Sequence, residues 1–69
     1  MNGARQLIAN HLNLVVDDMT SVQETIVTID NQFDGTEDYS LIESEVAEVY
    51  DFFQKGIEKL NKIVENLQT

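Results

Sequence analysis

The sequence has no cysteine, no proline and no tryptophan, and only three glycines, one histidine and four basic residues. Without cysteine there is neither a disulfide framework nor a thiolate metal site, and the redox compartment cannot be read. The single histidine, His11, removes most zinc and iron chemistries. Basic residues are scarcest where they would matter most: between Arg5 and Lys55 there is no lysine or arginine, while eleven carboxylates fall in that stretch. Phosphate backbones and anionic membrane surfaces are bound through clustered Lys and Arg, so direct binding to nucleic acid or to such a membrane is excluded. No apolar run approaches the length of a transmembrane helix, and Met1-Asn2-Gly3-Ala4-Arg5 opens no signal-peptide pattern. The chain is therefore expected to be soluble. It is expected to stay in the cytoplasm or to leave by a route that accepts folded or paired helices without a cleavable signal.

Length limits the rest. A chain of 69 residues buries only about 60% of its unfolded surface, so stability needs a supplement. With disulfide and metal removed, the expected supplement is association with a second chain.

What is present is helical periodicity. Ile8, Leu12, Val15, Met19, Val22, Ile26, Ile29 and Phe33 are spaced alternately four and three residues apart, which lines one stripe of a helix. Leu7, Leu14, Val16 and Val27 lie off that stripe. The β-branched run Thr25-Ile26-Val27-Thr28-Ile29 would suit a strand by propensity, but no second strand is available to pair with it. A helix is expected from about residue 3 to 31, an acidic turn over 32–38 centred on Asp34-Gly35, and a second helix over about 40–67. Ser40 with Glu43 three residues later has the form of a capping box. The second stripe reads Tyr39, Ile42, Val46, Val49, Phe53, Gly56/Ile57, Leu60, Ile63/Val64 and Leu67, with Leu41, Tyr50 and Phe52 beside it. Carboxylates crowd its first half and Lys55, Lys59 and Lys62 its second, matching the helix dipole.

A short connection between long helices implies an antiparallel hairpin. Gly56 should then lie across from Val15 to Met19 and admit a bulky neighbour there. The apolar residues outnumber what two helices can hide, which marks a partner surface. The fold expected is all-α, a two-helix hairpin completing a four-helix bundle by dimerisation or with another helical protein. The expected interface residues are Val15, Met19, Val22, Ile26, Phe33, Val46, Val49, Tyr50, Phe52 and Phe53.

Phe33-Asp34-Gly35 between the helices resembles the turn of the WXG-motif proteins of type VII secretion, small helical hairpins whose turn carries Trp-x-Gly. Phe33 stands for the tryptophan and Gly35 for the glycine, while Tyr39 and Leu41 fall near the apolar opening of that family's second helix. The likeness covers about residues 15–67, and its specific part is those two turn residues. It implies a homodimeric or heterodimeric four-helix bundle that is secreted or escorts a larger helical toxin. The family's C-terminal Tyr-x-x-x-Asp/Glu export signal has only Tyr39 and Glu43 as a counterpart here, at the helix start, where capping accounts for them.

Other chemistries read weakly. Asp30, Gln32, Asp34 and Gly35 match positions one, three, five and six of a calcium-binding EF-hand loop, yet Leu41 falls where the bidentate glutamate belongs, so no metal or cofactor is expected. The carboxylates alternate with apolar positions as a solvated face, and neither Ser21 nor Ser40 has the setting of a nucleophile, so no enzyme is expected. Eight carboxylates from Asp30 to Asp51 leave one alternative, an acidic decoy that occupies a nucleic-acid-binding protein. A structural homodimeric regulator is another.

Overall fold

A computed structural model describes residues 3–69 of the chain. It consists of α1 (Gly3–Phe33), the short α2 (Glu37–Ser40) and α3 (Glu43–Gln68). Among the described residues there is no strand. The β-branched run is helical, with its two threonine hydroxyls satisfied inside the helix. Thr25 Oγ1 donates to the Ser21 carbonyl at 3.1 Å and Thr28 Oγ1 to Glu24 at 3.1 Å, the back-bonding that spares a threonine any competing local turn.

α1 ends at Phe33, against an expected end at about residue 31. Asp34 N–H donates to the Asp30 carbonyl at 2.9 Å, and Gly35 then takes φ +85°, a left-handed conformation that costs a residue with a Cβ about 1–2 kcal/mol. Beyond it the structure departs from the capping-box reading. Thr36, not Ser40, is the cap: its Oγ1 accepts from Tyr39 N–H at 3.3 Å and donates to the Phe33 carbonyl at 2.6 Å. Ser40 instead lies within α2 and donates its hydroxyl to the Glu37 carbonyl at 2.7 Å. The chain breaks again at Leu41-Ile42, and α3 starts at Glu43 with no side-chain cap. The single turn foreseen over 32–38 is thus a tight turn, one helical turn and a kink.

α1 and α3 run antiparallel. Arg5 Nη1 reaches the Leu67 carbonyl at 3.4 Å at one end, and the Tyr39 hydroxyl donates to Asp30 Oδ1 at 3.1 Å at the other. Midway, an ideal Cβ on Gly56 would stand 2.8 Å from Met19 Cε, so the missing side chain leaves the notch that the methionine methyl fills. The product is a rod of 57 × 15 × 11 Å. Its radius of gyration is 16.0 Å, against about 11 Å for a compact domain of this length.

The contact seam differs from the expected stripe. On α1 the residues turned to α3 are Ala9, Leu12, Val16, Met19, Gln23 and Ile26; on α3 they are Val46, Tyr50, Phe53, Ile57, Leu60, Val64 and Leu67. Leu12, Met19 and Ile26 were foreseen. Ile8, Val15 and Val22 yield their places to the next residues in sequence, Ala9, Val16 and Gln23, and these three, with Ile29, are exposed. On α3 Tyr50 takes the place expected of Val49, and of the paired positions Gly56/Ile57 and Ile63/Val64 it is Ile57 and Val64 that are buried, while Ile42, Val49 and Ile63 are exposed.

Candidate partner-binding face

The seam alone makes a thin core. Ala9, Tyr39, Ile57 and Val64 are the buried apolar residues, and no large side chain among those described is fully enclosed. One seam position is polar: Gln23 is 7% exposed and its Nε2 donates to the Gln54 Oε1 at 3.0 Å and the Tyr50 carbonyl at 3.3 Å. An amide satisfied in this way contributes little net stability but opposes slippage of one helix along the other.

The displaced residues form a second feature. Ile8, Val15, Val22 and Ile29 recur every seven residues along α1, and Ile42, Val49, Gly56 and Ile63 recur every seven along α3. Each row immediately precedes a seam row. A residue step turns a helix by about 100°, so these rows point about 70° away from the opposite helix. The two helices face each other in opposite directions, which relates them by a two-fold axis normal to the plane of the hairpin. Both rows therefore emerge on the same side of that plane. The grooves agree in part: Ile29, Phe33 and Ile42 line one together with Thr36, Asp38 and Tyr39, whereas Thr20, Gln23, Glu24, Val27, Thr28 and Tyr50 line another on the opposite, more polar side.

One face of the rod is thus apolar along most of its length. Val15 is 43%, Val22 41% and Val49 48% exposed, values that belong to a surface rather than a core. Phe33, 43% exposed, closes this face at the tip. Phe52, 76% exposed, stands at its outer rim. Of the ten interface residues expected from the sequence, Val15, Val22, Phe33, Val49 and Phe52 lie exposed on or beside this face. Met19, Ile26, Val46, Tyr50 and Phe53 are half-buried between α1 and α3. Reasoning from sequence missed Ala9 and Gln23 as seam residues, because alanine and glutamine carry little apolar signal. It placed Val16 and Tyr50 beside the stripes rather than in them.

The turn carries different chemistry. Tyr39 is 5% exposed, and its phenol is held above the ordinary value of 10.0. Burial is the main cause, followed by the hydrogen bond to Asp30 and the nearby charges of Asp30, Glu43 and Asp34. Asp30, the first ligand of the calcium reading, is engaged by that hydroxyl. No group of three or more metal-binding side chains occurs among the described residues. No described helix is long and apolar enough to cross a membrane. No family model matches this chain, and no curated protein or solved structure matches it either.

Proposed function

We propose that the chain is a non-enzymatic helical interaction protein that docks its apolar face on a second pair of helices, as a small partner or escort in a secretion complex of the WXG type. The direction of the apolar arcs carries this reading. On α1 the arc is centred between the exposed row and the Leu12-Met19-Ile26 row, and on α3 between the corresponding rows. Both centres lie about 50° off the line joining the helices, toward one side. In a hairpin that only closes on itself the arcs would point straight at each other. In a square four-helix bundle each points at the bundle axis, roughly 45° off its neighbour. The side chains on this face act by shape and burial, each contributing about 1.5–3 kcal/mol when fully covered.

The secretion role rests on the Phe33-Asp34-Gly35 turn between two long antiparallel helices. Gly35 has the positive φ that this turn uses, and Phe33 stands at the end of the apolar face, where an aromatic can contact a partner.

A photoreactive benzophenone side chain tests both parts in cells. Placed at Val22 it should form a discrete protein adduct, and placed at Asn13 on the polar side it should not. Equal labelling from the two positions, or none, contradicts the docking face. Export that disappears when the secretion ATPase is deleted supports the secretion role, and export that persists refutes it.

A further inference from the structure

A groove near the tip carries a different chemistry from the docking face and opens on the other side of the hairpin. Val27 and Ala47 line it. Each follows a seam residue in sequence, Ile26 and Val46, whereas Val22 and Val49 of the docking face precede theirs. A residue step turns a helix by about 100°, so the two pairs emerge on opposite sides. The groove also shares Val27 and Tyr50 with the more polar groove beside it. We infer that it receives an arginine side chain presented by a partner protein, a contact independent of the docking face.

Shape sets the kind of occupant. The groove holds about 260 Å³, below the roughly 300–1,000 Å³ of pockets that enclose a small molecule. One long side chain on a larger partner is the better match. Val27, Val46 and Ala47 give the groove an apolar floor, with Tyr39 and Tyr50 beside them. An aliphatic stem lies along such a floor while its charged head stays at the rim.

The rim sets the charge. Asp30 from α1 and Glu43 and Asp51 from α3 line the groove, and no lysine, arginine or histidine does. The sequence has no basic residue between Arg5 and Lys55, so the stretch that builds the groove supplies no cation of its own. The Tyr39 hydroxyl donates to Asp30 Oδ1 at 3.1 Å, which fixes that carboxylate at the edge of the groove.

The spread of the charges selects the cation. The three carboxylates do not converge, since no group of three or more metal-binding side chains occurs among the described residues. They stand around an apolar and aromatic slot instead. A guanidinium is planar, delocalised and weakly hydrated, with five N–H donors to share among separate carboxylates, and it stacks on aromatic rings. Tyr50, half-buried, is the ring on which it stacks. A lysine ammonium is a compact and strongly hydrated point charge, and this slot suits it less.

Tetra-arginine and tetra-lysine peptides, blocked at both ends, carry equal charge and separate this contact from general attraction to an acidic rod. They are titrated into the isotope-labelled full chain at about 0.15 M salt, where the Debye length is about 8 Å. Tetra-arginine should shift the amide resonances of Val27, Ala47, Tyr50 and Asp51 most, and should bind at least about threefold more tightly than tetra-lysine. Ala47→Phe fills the groove without altering charge and should weaken tetra-arginine by about fivefold. The double variant Glu43→Gln/Asp51→Asn should weaken it by about fivefold as well, and the charge-matched Asp17→Asn/Glu65→Gln, away from the groove, by less than about twofold. Circular dichroism checks that each variant keeps its helices; should Ala47→Phe lose them, the two charge variants decide. Shifts spread evenly along the rod, equal affinity for the two peptides, or equal losses in the two charge variants would overturn the proposal. So would a folded Ala47→Phe that binds as tightly as the natural chain. Because Val22 lies on the other side, none of these outcomes depends on whether the docking face finds its partner.

Discussion

Tyr39 shows how a single residue ties the tip together. Its ring is buried between α2 and the ends of α1 and α3, and its hydroxyl donates to Asp30. Folding raises the phenol's pKa, so the folded chain keeps a proton that the unfolded chain releases near the ordinary value of 10.0. The resulting stabilisation is present in full below that pH and is lost as pH rises through the folded value. Unfolding midpoints measured from neutral to strongly alkaline pH should therefore fall more steeply for the natural chain than for Tyr39→Phe. Equal slopes would show that the Asp30 contact does not bias the phenol. Gln23 was not legible as a seam residue for a related reason. A buried glutamine is identified by the partners that satisfy it, and Gln54 and the Tyr50 carbonyl come within reach only once the hairpin has closed.

At the scale of elements, the two long helices and the reversal at Asp34-Gly35 were legible, and the phase of each helix was not. Both α1 stripes are plausible by period: Ile8, Val15, Val22 and Ile29 form one, Ala9, Val16, Gln23 and Asp30 the next. Hydropathy selects the greasier of the two. Which row meets the neighbouring helix depends instead on how close the backbones come, and alanine, glycine and a satisfied amide favour that approach. The greasier row is left exposed. The Ser40–Glu43 cap failed on similar grounds, since Thr36 reaches the open amide of Tyr39 first and starts a separate helical turn. Gly35 marks the reversal most sharply. A Cβ there would meet nothing within 4 Å, so Gly35→Val is penalised by its positive φ alone. The expected loss is about 1–2 kcal/mol, equivalent to roughly 4–16 °C in melting temperature for a domain of this size. An unchanged melt would mean that the chain does not turn there.

The whole molecule is a rod with a thin seam and one uncovered apolar side, and the proposed docking makes its stability depend on what covers that side. Phe53→Asp would not separate folding from association, because Phe53 also packs inside the hairpin. Val49 is the better position, exposed in the rod and central on the face. The decisive measurement is sedimentation equilibrium of the purified chain at micromolar concentration, with Val49→Asp alongside. The natural chain should sediment at twice its mass of 7.8 kDa and melt at a temperature that rises with concentration. Val49→Asp should associate at least about tenfold more weakly, a difference of about 1.4 kcal/mol. A natural chain that sediments as a folded 7.8 kDa monomer, with a sharp and concentration-independent melt, would contradict the proposal that this face packs against a second pair of helices.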